Sequence, residues 1–226
     1  MKLATDGLIE VLADEMVVKE LGPAVVLLKE LKRGVEKAKA VGVGNRLETS
    51  VVFQADFPVA QLVDEVVKKL EASANLAEAT NSLKQIGLAM HNYSDAFNEL
   101  PPAAICDKKG KPLLSWRVSL LPYLDHQELY NQFKLDEPWD SEHNKKLIPK
   151  MPKIYLTPGT QHVGKTHYRV FTGNGAVFDL IQSERLEKIP DGTSNTIMAV
   201  ESAEAVEWTR PDDLGFDPKK PIAKLG

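Results

Sequence analysis

A long amphipathic helix, predicted over residues 58–98, constrains the fold more than any other feature of this chain. Apolar residues in its second half recur at alternating spacings of three and four: Leu76, Ala79, Leu83, Ile86, Met90, Tyr93 and Phe97. This spacing keeps them on one stripe of an α-helix. Two prolines at 101 and 102 then stop the helical pattern. We therefore expect a spine helix whose apolar stripe packs against a partner surface.

The region before the spine helix predicts a small segment of helix and strand. Residues 5–41 carry apolar residues at helical spacing, with a break at Gly22 and Pro23. Residues 49–55 are rich in β-branched and aromatic side chains, which favour a strand. We expect residues 1–57 to form one part of the chain and residues 58–226 the other.

Beyond the two prolines the chain consists of short segments separated by proline, glycine and polar residues. The predicted short helices cover residues 115–121, 127–133 and 142–148. The predicted strands cover residues 168–172, 176–180, 185–189 and 196–201. A spine helix followed by a small, mainly antiparallel sheet predicts the α+β class.

Charge and composition exclude several classes of partner. The net charge of -4 gives no broad attraction to phosphate backbones, so we expect no nucleic-acid partner. No stretch approaches the roughly 20 apolar residues of a membrane helix, so we expect no membrane contact by this chain itself. Cys106 is the single cysteine and therefore forms no intrachain disulfide. The sequence does not define an oligomeric state.

Residues 159–166 match the P-loop pattern G-x-x-x-x-G-K-T, which is the strongest argument for an enzyme. A functional P-loop leads from a strand into a helix, whose N-terminus binds the phosphates. The residues that follow Thr166 are β-prone instead. We therefore keep a nucleotide-binding enzyme as the alternative and expect a protein that is not an enzyme.

Histidine spacing and acidic residues give no defined metal or cofactor site. The five histidines form no His-Glu-x-x-His pair, so we expect no metal site and no cofactor. The polar run at 191–196 predicts a stabilised turn. Its functional alternative is a calcium- or carbohydrate-binding module that uses the tryptophans and the oxygens of Asp191, Asn195 and Asp179.

Three tryptophans, each beside a charge or a proline, are the candidates for partner contact. Such residues either anchor a partner protein or glycan, or clamp loops onto the core. Clamping is the more common role of loop tryptophans, so we favour the clamp and leave partner contact open. The candidate residues for interaction or loop clamping are Trp116, Arg117, Trp139, Asp140, Asp191, Asn195 and Trp208.

Three ordered blocks resemble a known family. The blocks are residues 81–102, residues 115–124 together with 138–141 and Asn144, and the DGTSNTI run at 191–197. Together they are similar to the bacterial domain-of-unknown-function family fifteen fifty-nine (DUF1559), over about residues 75–226. Members of that family resemble type II secretion pseudopilins and type IV pilins.

The resemblance implies a pilin-like fold and a structural or interaction role without catalysis. It implies that residues 1–57 belong to a preceding soluble domain and that the pilin-like domain is truncated at its C-terminus. It also implies an extracytoplasmic or cell-envelope location, although no anchor or signal is present in this sequence. Where many relatives have a cysteine before a proline, this chain has Thr157.

Overall fold

The computed structural model describes residues 39–43, 46–50, 59–181, 183–190 and 192–226, with side chains from residue 64 onward. The chain divides into two units, Met1–Ala74 and Asn75–Gly226. The predicted division at residue 57 stays a prediction. Within the described ranges, no helix has both the length and the apolar character that a bilayer crossing demands.

The first unit contains a β-hairpin. β1 (Lys39–Val43) pairs antiparallel with β2 (Arg46–Ser50). The helix predicted over 5–41 is therefore wrong at its last residues, because the valines of β1 favour extended backbone. The strand predicted over 49–55 overlaps the end of β2. The remainder of both predictions lies outside the described residues.

The spine helix α1 (Val59–Phe97) confirms the helix predicted over 58–98. It ends where Asn98 takes the left-handed conformation, with φ of 59°, and donates its backbone N–H to Ser94 O at 2.7 Å. Asparagine tolerates this conformation, which commonly terminates helices. The prolines that follow prevent the helix from resuming.

The apolar stripe of α1 is buried in its middle and exposed at its ends. Ile86 and Met90 are fully buried, whereas Leu76 is 70% exposed and Phe97 is 57% exposed. The prediction that the whole stripe packs against a partner surface is therefore wrong at these two positions. The i, i+4 periodicity identifies one face of the helix but does not show how far the rest of the fold extends along it.

The described part of the second unit contains strands in pairs rather than one large sheet. The antiparallel pairs are β3 (Ala104–Cys106) with β4 (Pro112–Ser115) and β5 (Lys165–Arg169) with β7 (Val200–Glu207). The parallel pair is β6 (Phe171–Thr172) with β8 (Leu214–Gly215). A long helix with small, mainly antiparallel sheets confirms the predicted α+β class.

The core lies where α1 meets the strands and the loops between them. Its fully buried members include Ile86, Met90, Leu114, Tyr155, Tyr168 and Trp208. Aromatic rings supply much of the buried area because the strands are short and cannot cover the helix alone. The loops are therefore part of the core packing.

The predicted short helices lie close to the observed ones. The observed elements are α2 (Trp116–Ser119), a 3₁₀ turn (Leu121–Leu124), α3 (Gln127–Tyr130) and a 3₁₀ helix (Asn144–Lys150). Ser115 caps α2 by accepting a hydrogen bond from the Arg117 backbone N–H. This cap satisfies one of the backbone N–H groups at the start of α2 that have no partner within the helix.

The predicted strands are less accurate. The strand at 168–172 is divided between β5 and β6, and the strand at 196–201 begins only at Val200. Residues 185–189 form a 3₁₀ turn, Leu186–Lys188, instead of a strand. In place of the strand at 176–180, Phe178 alone forms a bridge, with Thr172. Local β-propensity becomes a strand only where a neighbouring edge can pair with it.

Candidate functional site

Arg117, one of the candidate contact residues, is fully buried and bonded within the protein. Its Nε and Nη2 atoms donate to the backbone oxygen of Tyr168 at 2.9 and 2.6 Å. Its Nη1 atom donates to Ser115 Oγ at 2.6 Å. Because Tyr168 lies on β5, the guanidinium joins α2 to that strand.

Asp213 completes this internal network, which we define as Trp116, Arg117 and Asp213. One Asp213 carboxylate oxygen lies 3.3 Å from Arg117 Nη2, and the two side chains are 0% and 4% exposed. The same oxygen accepts hydrogen bonds from Trp116 Nε1 and from the Val170 backbone N–H, each at 3.1 Å. Burial lowers the pKa of Arg117, and the negative charge of Asp213 opposes that shift.

Trp208 and Tyr155 hold a second group of loops against the core. Their rings stack with centroids 5.8 Å apart, and Trp208 Nε1 donates to Ile148 O at 2.9 Å. The Tyr155 hydroxyl donates to Arg117 O at 2.9 Å. Burial raises the pKa of Tyr155 far above its ordinary range, which keeps it a hydrogen-bond donor. These side chains are inaccessible to a partner.

Trp139 and Asp140 lie in a loop on the surface. The Arg210 guanidinium sits over the Trp139 ring, 5.7 Å from its centroid, and Asp140 is exposed. The buried Asn144 side chain holds this loop: its Nδ2 donates to backbone oxygens of Lys134, Glu137 and Pro138 at 2.9, 3.0 and 3.2 Å. Trp139 is therefore partly buried against the core, and Asp140 is exposed on a loop held by hydrogen bonds.

The proposed polar site at 191–196 is only partly described. Asp191 lies outside the described residues. Asn195 is exposed and belongs to a 3₁₀ turn, Thr193–Asn195, closed by its backbone N–H on Gly192 O at 3.1 Å. In the ranges that the structure describes, no group of three His, Cys, Asp or Glu side chains is placed to hold a metal ion.

The P-loop-like segment has a structural role in this fold. Lys165 begins β5, which confirms the prediction that a β-strand follows this segment. A P-loop has a helix at this position. Gly164 has φ of +82° and packs closely on Ile148; its carbonyl accepts the Trp208 backbone N–H at 3.1 Å. The glycine therefore allows close packing and a left-handed turn.

An open groove with four aromatic side chains lies between the end of α1, β3 and the turn after α2. We call it the aromatic groove and define it by Tyr93, Phe97, Tyr123 and Tyr130. Its volume is about 640 Å³, within the usual range for ligand pockets. The Tyr93 ring lies 4.5 Å from that of Phe97 and 5.7 Å from that of Tyr123, measured between centroids.

Two tyrosine hydroxyls of the aromatic groove, those of Tyr93 and Tyr130, remain protonated at physiological pH. Burial is the main cause that raises the pKa of Tyr93 to about 12, followed by the negative charge of Glu99 and the nearby Tyr123 and Tyr130. Burial also raises the pKa of Tyr130. The groove therefore presents ring faces together with neutral hydroxyl groups that can donate hydrogen bonds.

The sequence alone does not identify this groove. It assigned Tyr93 and Phe97 to the buried stripe of the helix, although Phe97 lies at the stripe's exposed end. Two signals were available: an i, i+4 aromatic pair directly before a helix stop, and a Pro-Tyr pair in the short helix that follows. Neither signal predicts that the two segments face each other.

The described residues therefore combine an α+β fold with the internal network and the aromatic groove. Residues 77–160 match the model of a family described as "Protein of unknown function (DUF1559)". This match supports the resemblance drawn from the sequence. It begins in the middle of α1 and ends in the loop before β5. Comparisons with curated proteins and with solved structures give no match.

Proposed function

We propose that this protein is a non-catalytic interaction module of a pseudopilin-like, surface- or secretion-associated protein, and that it binds a partner protein in the aromatic groove. One observation carries the proposal. The buried charged and indole groups bond to the protein itself, while a recess of four aromatic side chains stays open. Such an arrangement favours recognition over chemistry.

The groove suits an extended peptide that carries proline or other apolar residues. Aromatic-lined grooves bind the polyproline II conformation because the peptide is already ordered before it binds. Pro102 and Pro122 add further apolar surface to the lining, and the tyrosine hydroxyls can donate to peptide carbonyl groups. A rigid recess of this kind reduces the entropy lost on binding.

A fluorescence-polarisation titration with a labelled proline-rich decapeptide tests this proposal. The double variant Phe97→Ala, Tyr123→Ala removes two ring faces from the groove, and we expect its affinity to fall at least about tenfold. Val163→Ala is the matched control, because Val163 is an exposed apolar residue outside the groove lining. We expect its affinity to equal that of the unmodified protein.

Two results would overturn the proposal. Equal peptide affinity in the double variant and in the Val163→Ala control would show that binding does not use the groove. Binding of cello- or chito-oligosaccharides without any peptide binding at millimolar concentration would replace the protein partner by a glycan.

The surface- or secretion-associated location rests on the family resemblance. Fractionation of cells that express the native gene tests it directly. Recovery of the protein in envelope or secreted fractions supports the location, and recovery only in the cytoplasm contradicts it.

A further inference from the structure

A second recess, polar rather than aromatic, adjoins the aromatic groove, because Tyr123 lines both. It lies between α1, the turn at 123–126 and Ile154, and its volume is about 270 Å³. We call it the polar recess and define it by the four polar side chains of its lining: Gln85, Asn92, Asp125 and His126. Its volume is just below the usual range for drug-sized ligands, so it suits a single small ring.

α1 supplies one wall of the polar recess. Gln85, Leu88 and Asn92 are spaced three and four residues apart, so they share one face of the helix. Ala89, which also lines the recess, is buried, whereas these three side chains are exposed. The wall therefore lies at the border between core and solvent, with an amide group on each side of an apolar side chain.

Another wall of the recess is a turn with a fixed backbone. The 3₁₀ turn Leu121–Leu124 ends at Asp125, which has the left-handed φ of 61°. The Leu121 backbone oxygen accepts hydrogen bonds from the backbone N–H groups of both Asp125 and His126. These bonds hold the backbone that carries the two side chains before a ligand binds. A preformed wall of this kind reduces the entropy lost on binding.

The hydrogen-bonding groups of the four polar side chains are open to a ligand. Within the part of the chain that the structure describes, none of the four forms a hydrogen bond or an ion pair through its side chain. The side chains of Asn144 and Arg117 differ, because their nitrogens donate to backbone oxygens and hold the fold together. A ligand in the polar recess therefore breaks no internal bond of these side chains.

The mixture of polar groups suits the hydroxyl groups of a neutral sugar. A hydroxyl both donates and accepts a hydrogen bond. The amides of Gln85 and Asn92 offer donors and acceptors, and the carboxylate of Asp125 accepts. Neither lysine nor arginine is among the described residues that line the recess, so an anionic ligand would meet the charge of Asp125 without compensation.

Apolar surface beside the polar groups suits the C–H face of a sugar ring. The apolar lining includes Leu88, Leu124 and Ile154, and the Tyr123 ring lies next to them. The face of an aromatic ring carries partial negative charge, which attracts the C–H groups of a pyranose. An edge contact with Tyr93, at 5.7 Å between centroids, holds the Tyr123 ring. A ligand with polar edges and an apolar face therefore matches this lining.

We propose that the polar recess binds one neutral pyranose unit, either a free monosaccharide or a unit of a glycan chain. Gln85, Asn92 and Asp125 bind its hydroxyl groups, and Tyr123 contacts its C–H face. This site contains no tryptophan, which distinguishes it from the carbohydrate-binding alternative predicted from the sequence. It goes beyond the peptide binding proposed for the aromatic groove and does not depend on it.

Saturation-transfer difference NMR tests the proposal with glucose, N-acetylglucosamine, cellotetraose and chitotetraose as probes. The double variant Gln85→Leu, Asn92→Leu removes both amides and places good helix formers on α1. Asn81→Leu is the matched control, because Asn81 is an exposed amide on the same helix outside the recess lining. We expect the double variant to bind the probes at least about tenfold more weakly than the control, because hydrogen bonds to the sugar are lost.

Two variants separate this proposal from peptide binding in the aromatic groove. Phe97 lines the groove but not the polar recess, so Phe97→Ala should bind the saccharides as the unmodified protein does. The double variant Gln85→Leu, Asn92→Leu should bind the proline-rich decapeptide normally. Either site can therefore fail its test without affecting the test of the other.

Equal saccharide binding by the double variant and by Asn81→Leu would overturn the proposal. So would the lack of saturation transfer to all four probes at millimolar concentration. Binding of glucosamine alone would replace the neutral sugar by a cationic amine and would also overturn it. Stronger binding of the tetrasaccharides than of the monosaccharides supports a glycan chain as the source of the pyranose unit, and equal binding supports a free monosaccharide.

Discussion

Arg117 and Asp213 form a buried ion pair that is also bonded to the Tyr168 backbone oxygen, the Ser115 hydroxyl and the Trp116 indole. Removal of one charge from such a pair leaves the other without compensation in a dry interior. We therefore expect Arg117→Ala to destabilise the fold by about 3–5 kcal/mol. Urea unfolding followed by tryptophan fluorescence measures this loss.

The exposed ion pair of Lys153 with Glu78 is the matched control. Its charged atoms are 3.1 Å apart, but the two side chains are 84% and 49% exposed. We expect Lys153→Ala to cost less than about 1 kcal/mol. A similar loss in both variants would show that burial does not determine the importance of the Arg117 pair.

Tyr93 gives a pH-dependent prediction. Its pKa is raised from 10.0 to about 12, mainly by burial, so the unfolded chain loses this proton first as pH rises. The folded state then holds more protons than the unfolded chain. The contribution of Tyr93 to the free energy of unfolding is therefore fully present below pH 10 and is lost as pH rises from 10 to 12. When pH is raised above 10, phenolate absorbance should show one fewer tyrosine ionising near pH 12 in Tyr93→Phe than in the unmodified protein. The same number of tyrosines ionising near pH 12 in both proteins would contradict this prediction.

At the scale of single elements, two glycines make opposite predictions. Gly87 lies inside α1, and nothing is within 4 Å of the position that a Cβ would occupy. Gly87→Ala should stabilise the protein by about 0.5–1 kcal/mol, because alanine loses less backbone entropy in a helix. Thermal unfolding measures the gain, and a loss of stability would contradict the open space seen beside Gly87.

Gly164 should respond in the opposite direction. Its φ is +82°, and an added Cβ would lie 2.7 Å from Ile148 Cγ2 and 3.3 Å from its carbonyl oxygen. We expect Gly164→Ala to destabilise the fold by more than about 1 kcal/mol, because both the backbone conformation and the contact resist a side chain. An unchanged melting temperature would contradict the structural role assigned to this glycine.

The sequence predicts individual elements well where the signal is local and repeated. The spine helix has a long apolar periodicity and a proline stop, so its predicted bounds, 58–98, lie within one residue of the observed ones, Val59–Phe97. The strand at 185–189 fails because its β-branched and apolar residues find no strand edge and form a 3₁₀ turn instead. The aromatic groove could not be predicted, because it depends on how the end of α1 faces the turn that contains Tyr123.

At the scale of the whole molecule, the fold predicts no nucleotide response. Lys165 extends from a strand, and the helix N-terminus that binds phosphate in a P-loop is replaced by β5. A nucleotide at one hundred times its Kd would stabilise the folded state by about 2.7 kcal/mol. We expect Mg-ATP to leave the melting temperature unchanged in both the unmodified protein and Lys165→Ala. A shift lost in the variant would support an enzyme instead.

The class of the fold follows from the sequence, whereas its internal connections do not. A spine helix and short polar-bounded segments already indicate α+β. No spacing rule pairs Arg117 with Asp213, which lie 96 positions apart, or indicates that Trp116 donates to the same carboxylate. Whether the tryptophan and arginine candidates face a partner or the core depends on tertiary packing, which the sequence does not show.

The separation between Arg117 and Asp213 along the chain also determines when their ion pair can form during translation. Arg117 leaves the ribosome long before the aspartate that neutralises it, because Asp213 lies 96 positions further along the chain. Folding that depends on distant partners waits until both have emerged. The Arg117 side chain therefore has no buried counter-charge until Asp213 has been translated, so the packing of α2 against β5 is completed late.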